Sequence, residues 1–292
     1  MDLGETASTL KLIKSNPLSI IGIAIVSIFI IVGIVSPYIV PYPSDAWGYS
    51  YNVEATLLPP SRDHPFGTDE MGRDLFSRVV LGTRFSLIIA LGVVSISLLI
   101  GVVMGLVAGY MGGLIGMVLM RVTDMFLAFP PLLLAIAFAA TLGRGLVNVI
   151  IALALSWWPW YARLVYIQVS TVKNLPFVDA AKVIGLSPVK IMFRHVLPNS
   201  LTPIIVQAAL DMGSAILEAA GLSFLGVGIP PPIPEWGLLI SQGWALINRA
   251  WWISLFPGIA IVVTVVGFNL LADTFQEVMD PRLRSALAMR GM

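Results

Sequence analysis

Between Phe85 and Met120 the chain runs for 36 residues without a charged side chain. A single helix of that length would measure about 54 Å, whereas the hydrocarbon core of a bilayer is about 30 Å thick. The run therefore holds two crossings, and the GYMGG cluster at 109–113 supplies the turn between them. One span is expected at 85–108, and the next opens near 117. The composition agrees: 58% of the 292 residues are apolar, 11% are charged and the mean hydropathy is +0.92, while a soluble domain carries about 25% charged residues.

The same rule finds six spans along the chain. Leu18 to Tyr38 is almost purely aliphatic within a charge-free stretch from Lys14 to Asp45, so a first transmembrane helix is expected at 18–40, ended by Pro37, Pro41 and Pro43. Residues 1–17 are polar, and the apolar run behind them lacks a small-residue cleavage site, so this span is expected to stay in the membrane. Residues 41–84 set Asp45, Glu54, Asp63, Asp69, Glu70 and Asp74 against Arg62, Arg73, Arg78 and Arg84, and are expected to be exposed to water. A five-helix core follows over 85–272. Its third span starts with Arg121 and Asp124, contains Pro130 and Pro131, and ends near Thr141. After an LGRG turn at 142–145 comes a span at 146–168 with the aromatic cluster SWWPWY at 156–161, and then spans at 201–227 and 251–272. Trp251 and Trp252 suit an interfacial belt, and the WWPW residues are expected to pack and anchor the helices. Gly101, Gly105 and Gly109, spaced by four, predict close helix contact. The proline-rich stretch IPPPIPEWG, 229–237, reads as a rigid loop, and residues 273–292 as a polar tail carrying DPRLR at 280–284.

Six spans bring both termini to one side. Of the 17 Lys and Arg, 11 then fall with the termini and 6 opposite. The positive-inside rule puts the termini and the loop at 170–200 in the cytoplasm and residues 41–84 outside, in a multi-pass protein of the cell membrane. A net charge of +1 excludes the basic excess of a nucleic-acid binder. The lack of cysteine excludes disulfides, thiol nucleophiles and thiolate metal sites. None of GxxxxGK[ST], HExxH or GxSxG occurs, so no catalytic residue, metal or cofactor site is expected in this chain. His64 and His195 fall on opposite sides of the membrane and cannot share a site.

Two features carry functional signal. Asn174–Pro198, NLPFVDAAKVIGLSPVKIMFRHVLP, is the most polar passage of the second half, with Lys182, Lys190 and Arg194 against the single acid Asp179. Asn174 before Pro176 and Ser187 before Pro188 predict two short helices, broken at Gly185–Ser187. Such an elbow projects from the membrane and docks a partner. The second feature is the set Gln207, Asp211, Ser214 and Glu218, spaced 4, 3 and 4 on one helical face inside span five. An ionised carboxylate in hydrocarbon is disfavoured by about 2.5–3.5 kcal/mol or more, so this face cannot look at lipid. It lines a polar pathway, or it is a hydrogen-bonding strip between helices.

The elbow resembles the cytoplasmic loop of ABC importer permeases, written EAA, three residues, G, nine residues, I, one residue, LP. Here DAA stands at 179–181, glycine at 185 and LP at 197–198, with Asp179 in place of the glutamate and His195 in place of the isoleucine. HPFGTDEMGRDLFSRVVLGTRFSL (64–87), RHVLPN (194–199), EAAGLSFLGVGIPPPIPEWG (218–237) and FNLLADTFQEVMDPRLR (268–284) resemble the dipeptide/oligopeptide/nickel branch, and there the shorter of the two paired permeases. The resemblance, covering about 15–285, implies an all-α integral membrane protein with six transmembrane helices in the type I importer, MetI-like permease fold. It implies a second homologous permease, two cytoplasmic ATPases that use ATP and Mg, and an extracytoplasmic solute-binding protein. ATPase coupling would fall to Phe177, Asp179, Ala180, Ala181, Gly185, Pro188, His195 and Pro198. Ala180 and Ala181 would permit close approach to the ATPase, with Asp179 pairing a base or capping amides. The loop at 229–250 and residues 41–84 would meet the binding protein. Small peptides are the expected cargo, with oligosaccharides or nickel as alternatives on the same machinery. A proton-coupled carrier using Asp211 and Glu218 is the reading from another class, but it would show inverted repeats, which are not seen.

Overall fold

The computed structural model describes residues 16–279, so the Lys11 and Lys14 region and the DPRLR tail lie outside the described residues. The long helices are α1 (Pro17–Ile39), α3 (Leu75–Met111), α6 (Leu146–Val172), α9 (Leu197–Phe224) and α11 (Trp252–Met279). Shorter ones are α2 (Pro43–Ala46), α4 (Gly113–Leu127), α5 (Pro131–Leu142), α7 (Pro176–Val183), α8 (Pro188–Ile191) and α10 (Trp236–Trp244). Asn16 caps α1 through its Oδ1 and donates from Nδ2 to Glu277 at the other end of the chain (3.1 Å). One end of the bundle, called the near end below, therefore holds both the start of α1 and the end of α11.

The expected third span is two helices, α4 and α5, meeting at 87°. Pro130 and Pro131 explain the break: each removes an amide donor, and the residue before a proline is pushed out of the α region. Whether this bent pair crosses the bundle is decided by its neighbours. Gly92 lies against Ile150, Gly101 against Trp158 and Tyr161, Gly105 against Ala162 and Val165, and Gly109 against Val169. Both numbers rise together, so α3 and α6 run parallel. The chain between them must return through the full thickness, and the pair makes one broken crossing. Six crossings result among the described residues.

The glycine seam between α3 and α6 is a close backbone-to-backbone helix contact that runs along most of both helices. A Cβ at Gly105 would stand 2.5 Å from the Ala162 carbonyl oxygen and 2.7 Å from the Val165 Cβ. Without a hydrophobic effect between helices in lipid, such close approach of small residues is how spans associate. At its near end the seam is fastened by Lys173 Nζ, which donates to Gly109 O (2.6 Å), and α4 is tied to α6 by an Asp124–Arg163 ion pair.

Residues 41–66 are largely exposed, whereas 67–84, expected to be water-exposed as well, are mostly buried. Helix α3 begins at Leu75, ten residues before the charge-free run, because Arg78 is inside the protein. It is 0% exposed, with Nε 3.6 Å from Asp69 and Nη1 donating to Asp45 O (3.3 Å). Arg73 Nε donates to the same Asp69 carboxylate (2.7 Å). Asp74 caps α3 by accepting from Ser77 N (2.8 Å), holds His64 Nδ1 (2.8 Å), and donates from its own amide to Asp45 Oδ2 (2.8 Å). These charges form a buried clamp, since removing Asp69 would leave two buried guanidinium groups without their shared carboxylate. Trp252, read as an interfacial anchor, is buried and donates to Thr68 O (3.0 Å), and Phe66 stacks on Phe256 at 4.0 Å. Losing both the cap and the His64 partner, Asp74→Ala is expected to destabilise the chain by about 3 kcal/mol, read as a lowered melting midpoint of the detergent-purified protein. An unchanged midpoint would contradict the clamp.

The stretch read as a loop at 229–250 contains α10. Glu235 starts it, accepting from Gly237 N and Leu238 N (2.9 Å each). The carboxyl is 1% exposed, and burial pushes its pKa up against the lowering pull of those amides. Trp236 is buried and donates to Val79 O (2.9 Å), locking α10 onto α3.

Candidate functional site

The elbow at 174–198 is built differently from the two short helices expected. Asn174 does not cap α7: its Nδ2 turns back to Ser170 O (2.9 Å), and the N-cap is Leu175, without a side-chain bond. Helix α7 ends in a Schellman turn, with Leu186 N bonded to Ala181 O (3.2 Å) and Gly185 N to Lys182 O (3.0 Å). Gly185 sits at φ +82°, a conformation that disfavours any side chain even though nothing lies within 4 Å of its missing Cβ.

After Ser187 the chain does not form a second isolated helix. Residues 188–224 are one helix of 37 residues, passing through a π turn at Met192–Val196. The reason is Pro198, which lacks an amide and crowds the carbonyl four residues back; the π turn takes up the misfit. The LP pair therefore does not end a helix, and His195 lies within the π turn, its carbonyl accepting from Asn199 Nδ2 (2.7 Å). Span five begins at Pro188 rather than at 201.

The side chains of the elbow divide by face. Val178 and Ala181 are buried with Ile191, Met192 and Val196 against Leu106, Val165 and Val169 of the bundle. Ala181 thus faces the protein itself and is not free to meet a partner, contrary to the expectation. Ala180, Phe177 and Pro188 are exposed, with Val183 at 87% and Ile184 at 73% exposed beside them. Asp179 pairs with Lys182 one turn on (2.8 Å), which holds the exposed ammonium above its usual pKa.

Gln207, Asp211, Ser214 and Glu218 lie together on one wall of a cleft of about 310 Å³. The other walls are Ser156, Trp157 and Trp160 of α6, with Leu127 and Pro131 from the break between α4 and α5. The strip is partly hydrogen-bonded. Gln207 Nε2 donates to Asp211 Oδ1 (2.9 Å), and Trp157 Nε1 donates to Glu218 Oε2 (2.9 Å). Tyr161, 0% exposed, interacts with Asp211, yet its hydroxyl completes no hydrogen bond of good geometry. Gln207 also lines a second cavity of about 380 Å³ toward the near end, with Thr202, Gln276 and Met279. The aromatic cluster, read as packing, splits: Trp158 packs on Phe126 while Trp157 and Trp160 face the polar strip. Their i, i+3 spacing was the one available signal that they share a face. A separate cleft of about 350 Å³ between α1, α3 and α11 shares no residue with this one, and its Thr83 and Thr264 hydroxyls are satisfied by their own helices.

Comparison with known proteins matches these features over nearly the whole chain. Residues 101–285 match the family described as "Binding-protein-dependent transport system inner membrane component", and residues 7–60 match "N-terminal TM domain of oligopeptide transport permease C". The dipeptide transport system permease protein DppC of Alkalihalophilus pseudofirmus is 44% identical over 275 residues, 94% of this chain and 89% of that protein. A probable D,D-dipeptide transport system permease protein of Escherichia coli is 41% identical, covering 94% and 91%. The di/tripeptide transport system permease protein of Pseudomonas aeruginosa is 41% identical, covering 91% and 88%. With six crossings, the Asp179–Pro198 elbow and a family match over more than half its length, the chain belongs to the binding-protein-dependent transport system inner membrane components, the permeases of ABC transporters.

Proposed function

We propose that this chain is the non-catalytic permease subunit of an ATP-driven importer of small peptides. It forms half of the pathway together with a second, homologous permease. The near end is cytoplasmic, two ATPases bind there and use ATP and Mg, and a solute-binding protein delivers cargo at the opposite end. The observation that carries the peptide reading is the agreement among relatives of 41–44% identity, whose names specify dipeptides, D,D-dipeptides and di- and tripeptides. None of those names points to an oligosaccharide or to nickel.

Coupling through the elbow is supported by its construction. The exposed face of α7 offers Phe177, Ala180 and Ile184 to a partner, and its buried face is held against α3, α6 and the base of α9. A push on α7 is therefore passed to α9 through the packing of Val178 and Ala181 on Ile191, Met192 and Val196, across the turn at Gly185. Since α9 carries Asp211 and Glu218, closure of two ATPases would move the polar strip itself.

In proteoliposomes holding the complete transporter, uptake of a labelled dipeptide is expected to need ATP and binding protein, and to survive a protonophore. Uptake without ATP that collapses with the protonophore would instead establish a proton-coupled carrier using Asp211 and Glu218. Uptake of a sugar or nickel chelate but no peptide would replace the cargo and leave the machinery.

A further inference from the structure

We infer that the α9 cleft receives the cationic amino terminus of the travelling peptide, at Glu218 and then at Asp211; this rests on the reading of the chain as a peptide permease. The charge of the site points to a cation. Two carboxylates line the cleft and no Lys or Arg does. Neither acid belongs to an ion pair among the described residues. Glu218 uses Oε2 for Trp157, and its Oε1 has no hydrogen-bond partner among the described residues.

Beside the acids, the Tyr161 hydroxyl is fully buried next to Asp211 and completes no hydrogen bond of good geometry. A buried hydroxyl in so poor a bond is unfavourable, and a ligand group engaging Asp211 would let it complete one. Trp157 and Trp160 line the same space, and indole faces attract ammonium groups. The volume, about 310 Å³, lies at the lower end of small-molecule sites.

The order of the groups gives a direction. Helix α9 runs from the near end outward, so a peptide arriving from the far end meets Glu218 first. Asp211 follows about 10 Å further along the axis. Gln207 then opens onto the second cavity with Thr202 and Gln276, close to the near end. Two half-engaged acids in series hold the ammonium weakly at each step, which suits passage better than one tight site.

The test uses the assembled transporter, with its partner permease, ATPases and binding protein, in proteoliposomes. Uptake of a dipeptide is compared with uptake of its N-acetyl form, in the wild type and in Glu218→Gln. Selection by the binding protein is common to both transporters, so the ratio of their ratios reports the permease alone. The variant is expected to lose the free-amine peptide by about tenfold relative to the acetylated one, the effect of one charge-assisted hydrogen bond. Equal slowing of both peptides, or of neither, overturns the inference and leaves Glu218 as an interhelical or interpermease contact. Should the acetylated form not be delivered at all, ¹⁹F spectra of the complex with 5-fluorotryptophan replace it. Titration with a dipeptide amide is then expected to shift the Trp157 signal, assigned with Trp157→Phe, and an unmoved signal overturns the inference. A wild-type transporter that carries no peptide overturns the peptide reading as well, whereas normal peptide uptake with an unchanged ratio in Glu218→Gln overturns only the cleft.

Discussion

Gly105→Leu is expected to destabilise the folded bundle severely. The seam between α3 and α6 is a contact of backbone on backbone: the neighbours of the missing Cβ are the Ala162 carbonyl oxygen at 2.5 Å, the Val165 Cβ at 2.7 Å and the Tyr166 amide nitrogen at 2.9 Å. None of these is the far end of a flexible side chain, so nothing can swing aside. The helices must separate, and every other contact of the seam is lost with this one. Overpacking a core costs typically 1–3 kcal/mol even where side chains give way, so about 3 kcal/mol or more is expected here, against a total stability of about 5–15 kcal/mol. The readout is the yield of monodisperse protein and its melting midpoint in detergent. Gly113→Leu is the companion change, because no atom lies within 4 Å of that position and only the local backbone (φ +52°) is strained. Equal midpoints for the two variants would mean the seam is not closely packed.

That seam was legible in the four-residue spacing of Gly101, Gly105 and Gly109, but its partner was not. Spacing within one helix says which residues share a face and nothing about what the face meets. The same limit applies to the cleft. Gln207, Asp211, Ser214 and Glu218 declared their common face through the helical period, whereas Trp157 and Trp160 became their opposite wall only because the parallel docking of α3 and α6 fixes where α6 stands.

The spans were readable from charge-free length, since a bilayer tolerates little else. Where charge was misleading, the cause was burial in pairs. Arg78 looked like the edge of a water-exposed segment, and it is inside a helix because Asp69 and Asp45 accompany it. Prolines misled in both directions. Pro130 and Pro131 break a span at 87°, while Pro198 is absorbed by a π turn without interrupting the helix from 188 to 224. Nothing local separates these outcomes. The difference lies in whether packing against neighbouring helices holds the axis straight, as the buried Met192, Val196 and Ser200 do around Pro198.

Ala180→Glu is expected to abolish ATP-driven uptake while leaving the chain folded. Ala180 is exposed on α7 and makes no contact that holds the elbow in place. A larger acid there adds negative charge beside Asp179 and volume on the face proposed to seat in an ATPase, so a close interface would lose both fit and charge balance. The expected loss of uptake exceeds tenfold, equivalent to more than about 1.4 kcal/mol of docking free energy, and the ATPases should no longer co-purify. Ala181→Glu separates docking from folding. Ala181 is 4% exposed, among Val178, Ile191 and Val196, so an acid there must be buried unpaired or must expel α7 from the bundle. It should lower the melting midpoint, which Ala180→Glu should not. The elbow would be excluded as the ATPase contact by an Ala180→Glu transporter that retains its ATPases and full uptake. A fall in midpoint matching that of Ala181→Glu would instead show that Ala180 serves the fold.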